Sequence, residues 1–177
     1  MRGLIFTQFL EMVENHYSAD MVDDIIDDCD LPSGGSYTAV SKYNHQELHD
    51  LSVALAKRTE QTLSDILIEY GDYVFEPLYQ HYQRLFKEKH SAIQFLLEVD
   101  SDIHKEMRKL YPDATLPNID CSMQGETLVM RYQSDRHFAD LVHGLILGCA
   151  RYFNEPLHIE IPEFSSGQAE FHITPKG

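Results

Sequence analysis

Basic residues are scarce in this chain. Only 14 Lys and Arg stand against 29 Asp and Glu in 177 residues, a formal net charge of −15 at pH 7. Phosphate backbones and anionic lipid surfaces are gripped by clustered cations, so the balance speaks against nucleic acid and against a membrane surface. It leaves room for a basic protein partner. Cysteine is scarce too: Cys29, Cys121 and Cys149 are odd in number, widely spaced and without a C-x-x-C pair. That pattern excludes a cysteine-based zinc site and points to reduced thiols in the cytoplasm. No apolar run approaches the length of a membrane span. The N-terminal stretch Met-Arg-Gly-Leu-Ile-Phe-Thr-Gln-Phe-Leu is short and broken by Gln8 and Glu11, unlike a signal peptide. Repeats, low-complexity tracts, Gly-rich phosphate loops and the G-x-S-x-G elbow are all missing, so an enzyme is not expected.

What remains is an ordinary globular composition, 43% hydrophobic and 24% charged, long enough to bury a core. Leu4, Ile5, Phe9, Met12 and Val13 recur at helical spacing. Ser18 can cap a second helix with Val22, Ile25 and Ile26 inward and Asp23, Asp24, Asp27 and Asp28 on a solvated face. Asn44 with Glu47 resembles a capping box for a helix with Leu48, Leu51 and Leu55 inward, and Thr62 with Asp65 starts another that Pro77 bends or ends. A continuous helix is expected from Ser91 to about Leu110, its inward stripe comprising Ile93, Leu96, Leu97, Asp100, His104, Met107 and Tyr111. Beyond Pro117 the period changes to two. Residues 127–134 read as a strand, 138–153 as a helix, and 157–161 with 169–173 as a closing hairpin. The expected class is α+β in one domain, 1–177, with a helical part over about 1–112. An antiparallel sheet with one crossing helix fills about 113–177.

Two groups of residues could carry chemistry. His104 falls on a buried helix face. A lone histidine there is more often a hydrogen-bonded core residue than a ligand, and its position does not decide between the two. Tyr132, Ser134 and Arg136 alternate along a strand, which would align two hydroxyls and a guanidinium fork along one edge, suited to a dicarboxylate. Other candidates are weaker. His45 and His49 stand one helical turn apart but lack the glutamate placement of a zincin helix. His158 and His172 could face each other across the last hairpin with no cysteine nearby. No zinc is expected, and the Asp23–Asp28 cluster lacks the spacing of a calcium loop.

The order His104, Pro117, Tyr132-Gln-Ser134-Asp-Arg136, then a helix with Gly144 and Gly148, resembles the haem nitric oxide/oxygen binding (H-NOX) family. Met1-Arg2-Gly3, the Gly71 region and the final hairpin support the likeness, which spans nearly the whole chain. The resemblance implies haem b (iron protoporphyrin IX) buried between the two halves. His104 would be its axial iron ligand and Tyr132, Ser134 and Arg136 would bind its propionates. Pro117 would press on the porphyrin, and Ile5, Phe9, Val74, Leu78, Leu141 and Leu145 would surround the distal pocket.

The resemblance also implies a function. Oxygen-binding members carry a tyrosine where this chain has Leu141. An apolar distal pocket favours nitric oxide, which depends less than oxygen on a hydrogen-bond donor, although His143 or Tyr70 could turn inward and supply one. The expected function is a cytoplasmic nitric oxide sensor in which gas binding breaks the His104–iron bond. It would act on a separate histidine kinase or cyclic-di-GMP enzyme. An oxygen-binding sensor, or an interaction domain that has lost its haem, are the alternatives.

Overall fold

The computed structural model describes residues 1–85 and 87–177. Its first half is helical: α1 (Gly3–His16), α2 (Ala19–Asp27), α3 (His45–Thr59) and α4 (Leu63–Tyr82). Local capping chemistry sets most of the starts. Ser18 Oγ accepts from Met21 N at 3.0 Å ahead of α2. Ahead of α4, Thr62 Oγ1 accepts from Asp65 N at 3.0 Å while Asp65 Oδ2 accepts from Thr62 N at 3.1 Å, a complete capping box. The box expected at α3 does not form. Asn44 caps alone, accepting from Gln46 N. Glu47 is instead buried, where its carboxylate accepts from Ser33 N, Ser33 Oγ and Tyr37 OH and fastens the 31–44 loop. A carboxylate offered three donors is satisfied there better than at an exposed helix start. Two aspartates of the expected solvated face are also less free: Arg58 bonds Asp28 through Nε and Asp24 through Nη1.

Pro77 neither ends α4 nor sits near its end, since the helix runs five residues further. The expected helix over 91–110 is broken into three. They are α5 (Ala92–Leu97), a π-helical turn over Val99–His104, and α6 (Lys105–Leu110). A π turn takes about one extra residue, so the stripe downstream of it rotates relative to α5. Asp100, expected inward, is therefore partly exposed and accepts from Arg108 Nη2 at 2.8 Å, while Ile103 takes the buried place.

The second half is a four-stranded antiparallel sheet in the order β1-β2-β4-β3. Its strands are β1 (Asn118–Gln124), β2 (Thr127–Gln133), β3 (Leu157–Ser165) and β4 (Gln168–Pro175). Cys121 pairs with Met130, and Met130 with Phe171, which puts their side chains on the core face. The helix α7 (Ala139–Tyr152) lies between this sheet and α4. Its Ala139, Ile146 and Cys149 belong to the sheet-side core and its Leu141 to the helical core. The α+β class, helices first and sheet last with one helix across it, matches the sequence reading.

α4 and α7 approach so closely that small residues are required between them. A Cβ on Gly144 would lie 2.2 Å from the Ile68 carbonyl oxygen, and one on Gly71 would lie 2.3 Å from the Leu141 carbonyl oxygen. Both obstacles are backbone, so relief requires the helices to separate. Gly144→Ala is expected to lower unfolding free energy by at least ~1–3 kcal/mol, the usual cost of overpacking, despite alanine's better helix propensity. Urea unfolding followed by circular dichroism measures this. An unchanged or raised midpoint would show that the two helices part without cost.

Candidate functional site

The two cores face each other across a cavity of about 420 Å³. Ile5, Leu78, Leu141 and Leu145 line it from the helical side. Ile103, Met107, Ile119 and Met130 line it from the sheet side. Pro117 and the link 113–116 close one flank, and His104, Tyr132, Ser134 and Arg136 open onto the same space. The structure thus brings together nine of the eleven residues singled out in the sequence. Phe9 and Val74 are not among the lining. Both are buried in the helical core, where Phe9 packs edge-on against Tyr70 at 5.1 Å between ring centroids.

His104 is the last residue of the π turn. Its side chain is 14% exposed, and Nδ1 is fully buried without a hydrogen bond. Asp100 Oδ1 lies 3.4 Å from that nitrogen, outside hydrogen-bond geometry and already engaged by Arg108. Burial pushes the His104 pKa below its ordinary value of 6.5, with the Asp100 charge opposing the shift. The ring is therefore neutral at pH 7, the state in which an imidazole can donate an electron pair to a metal.

The other polar group is not a strand row. β2 ends at Gln133, and Ser134 and Arg136 lie in the turn that follows. The side chains are organised by that turn. Tyr132 OH accepts from Phe138 N at 3.1 Å, and Ser134 Oγ accepts from Arg136 N at 3.1 Å. The turn in turn hangs on the β3–β4 hairpin. Ser134 N donates to the Gly167 carbonyl and Ala139 N to the Ser166 carbonyl, each at 3.0 Å. Gly167 permits that approach, because a Cβ there would press on His137 and on the Ser134 carbonyl oxygen. Arg136 is half-buried and its guanidinium makes no ion pair or hydrogen bond among the described residues. Burial lowers its pKa from the ordinary value. Arg136 also lowers the pKa of His45, second to the effect of burial. A desolvated cation beside other basic groups is costly unless an anion joins it.

The apolar wall carries no free donor from the two residues that could have supplied one. Tyr70 is fully buried and donates its hydroxyl to the Ile5 carbonyl. His143 is absent from the lining and packs its ring 6.1 Å from that of Phe171. Sequence reasoning missed the rim. Lys42 Nζ pairs with Asp113 Oδ2 at 2.7 Å, the Arg2 guanidinium stacks 4.2 Å over the Tyr111 ring, and Tyr82 lines the cavity near both Arg2 and Tyr111. The Lys42–Asp113 and Arg2–Tyr111 contacts join residues about 70 and 110 apart in the chain, and no local pattern announces them. Elsewhere, His158 and His172 do not oppose each other: His158 pairs with Thr174, and Glu160 with His172.

An iron porphyrin asks for a flat apolar slot, an imidazole for the metal and cations for two carboxylates. The volume falls in the usual range for small-molecule pockets, roughly 300–1,000 Å³. Nδ1 of His104 is buried on the Asp100 side, which leaves Nε2, without a hydrogen bond among the described residues, as the nitrogen available to a metal, and the unpaired Arg136 is left unexplained unless an anion joins it. The fold and this cavity define a haem-binding domain.

Comparison with known proteins gives the family. A model described as Haem-NO-binding matches residues 2–161, and the chain belongs to that family, the haem-binding H-NOX gas-sensor domains. It is similar to the Fe(II) unliganded H-NOX protein from K. algicida at 30% identity and a TM-score of 0.91, covering 100% of this chain and 97% of that one. The IWP-051-bound H-NOX from Shewanella woodyi in the Fe(II)CO state is 34% identical, with a TM-score of 0.81 over 98% of this chain and 94% of that one. An H-NOX protein from S. oneidensis in the Fe(II)NO state shares the fold at 20% identity, a TM-score of 0.91 and full coverage of both chains. No curated protein matches. No helix among the described residues is long and apolar enough to cross a membrane.

The lowered His104 pKa makes a signed prediction for the haem-free protein. The folded state binds fewer protons than the unfolded one between the folded pKa and 6.5, so stability is complete above 6.5 and falls as pH drops toward the folded value. His45 and His143, also lowered mainly by burial, act in the same direction. His104→Gln should therefore flatten part of the loss between pH 7 and pH 5 in urea titrations. Parallel curves for the two proteins would refute a neutral, buried His104.

Proposed function

We propose that this chain is a haem-based nitric oxide sensor that regulates a separate signalling partner, a histidine kinase or a cyclic-di-GMP enzyme, in the cytoplasm. The carrying observation is that a neutral His104 and an anion-free Arg136 open on one cavity whose opposite wall is hydrocarbon. In this reading residues 1–177 work as one unit, and as a sensor rather than a catalyst. His104 is the axial ligand, while Tyr132, Ser134 and Arg136 hold the two propionates. Pro117, Ile5, Leu78, Leu141 and Leu145 pack on the ring, with Phe9 and Val74 backing the wall one layer behind.

When bound, ferrous haem would supply an iron able to take a diatomic gas, with His104 as its ligand from the protein. Ile5, Leu78, Leu141 and Leu145 then decide which gas is held. Bound oxygen carries negative charge and needs a donor, whereas nitric oxide is nearly neutral and does not. The wall offers none, because the Tyr70 proton is committed to Ile5 and His143 faces the sheet. If gas binding broke the His104–iron bond, the Val99–Leu110 segment would be free to take a second position, and a ligand that prefers one position would bias it. The partner reads that movement.

An absorption spectrum of the reduced protein tests the reading: anaerobic, in air, then with nitric oxide. The expected result is a haem Soret band that ignores air and shifts with nitric oxide to the five-coordinate form. A stable oxygen complex would reverse the ligand assignment, and failure to take up haem on reconstitution would end the reading. Arg136→Ala should hasten haem transfer to an excess of apo-globin roughly tenfold or more, since hydrogen bonds to charged groups contribute about 1.5–3 kcal/mol. Transfer at the parental rate would remove Arg136 from the propionate site.

A further inference from the structure

Lys89 is buried, its side chain only 1% exposed, in the link between α4 and α5. Its ammonium bonds Glu98 and, at 2.5 Å, Asp102 Oδ2. Glu98 is the residue between α5 and the π turn, and Asp102 lies inside that turn two residues before His104. The two carboxylates are each about one-third exposed, so the cation is the desolvated partner and the acids reach in to it. An ammonium out of water costs several kcal/mol unless its partners stay in place. The arrangement therefore favours any geometry that keeps Glu98 and Asp102 against Lys89.

What lies on either side of this contact gives it a role. Upstream, α5 is fastened to the sheet half: Ala92 N donates to Glu155 Oε2 at 2.8 Å, and Phe95 and Leu96 are buried. Downstream, α6 has no buried residue, and Lys105, Arg108, Lys109 and Leu110 are exposed. The π turn and α6 touch the cavity through Val99, Ile103, His104 and Met107. Lys89 thus joins a fixed helix to a loosely held segment at the point where the regular α ladder is interrupted.

We infer that Lys89 is a positioning residue, a clamp on Glu98 and Asp102 that holds the π turn so that His104 faces the cavity and that resists displacement of the segment. As a device for setting the sensor's response, the clamp rests on the function proposed above. Without it, the segment leaves its place more often, and His104 is released more readily.

Hydrogen–deuterium exchange of the full-length protein, with and without haem, tests this, using Lys89→Met and the charge-keeping Lys89→Arg. Lys89→Met is expected to speed exchange of amides 99–110 roughly tenfold or more, the equivalent of losing a charged hydrogen bond. α1–α4 and the sheet should keep their rates, and Lys89→Arg should keep most of the protection. If Lys89→Met does not fold, Glu98→Gln, on a partly exposed residue, should show the same local pattern more weakly. On the haem-bound protein, Lys89→Met should also raise the five-coordinate fraction of the nitric oxide complex. Exchange that is unchanged, or faster everywhere alike, would overturn the clamp. A wild-type protein that takes no haem would instead sink the sensor reading while the exchange result still judges the clamp.

Discussion

A cavity in the middle of a small fold needs walls that do not collapse into it. Protein interiors pack to crystal-like density, and an unfilled space costs the contacts its lining forgoes. Here the rigid member is the α4–α7 pair, drawn together at Gly71, Gly144 and Gly148 until backbone meets backbone. Leu78 projects from one of these helices, and Leu141 and Leu145 from the other. The spacing of the apolar wall is therefore set by three missing side chains rather than by those that line it. The sheet forms the opposite wall, and its link to the first half passes along the rim at Lys42–Asp113 and Arg2–Tyr111.

The electrostatics follow from where that cavity lies. In a chain with a formal charge of −15, Arg136 acts on the Met1 amine and on His45, both basic, while Asp113 at the rim is paired with Lys42. The site therefore inverts the sign of the molecule's overall charge over a short distance. It does so without any Lys/Arg-rich sequence stretch, because the cations come from the start of the chain, the loop before α3 and the turn after β2. The imidazole of His104 sits at the opposite extreme: buried, neutral, and carried on a turn whose irregular hydrogen bonding keeps it distinct from the helices either side.

Much of this was legible in the sequence, for reasons that differ by residue. Periodicity gave the helices and strands because burial of one face writes a period of 3.6 or 2 into the chain. Ser18, Thr62 and Asp65 were legible as caps because capping is local. The spacing of Tyr132, Ser134 and Arg136 was legible as a group, but not its geometry, since the strand ends at Gln133 and the last two side chains are set by a turn. The π turn was not legible: its residues fit a continuous helical stripe as well, and only the packing of Ile103 and His104 decides the register. Glu47 misled because its spacing from Asn44 fits a capping box, whereas three donors from a distant loop claim it. Lys89 left no signal at all, as a lysine in a polar link reads as solvated.

Gly167 lies thirty-one residues beyond Arg136, on a different hairpin, and carries no side chain to contribute. Yet its carbonyl holds the Ser134 amide and its bare Cα lets the turn come close. The signature is thus shorter in the sequence than the site is in space. A methyl group at 167 would come within 3.2 Å of the Ser134 carbonyl oxygen, so even that small addition presses on the turn that carries Arg136. The placement of the turn that carries Arg136 is thus written partly in a hairpin that lends the cavity no side chain.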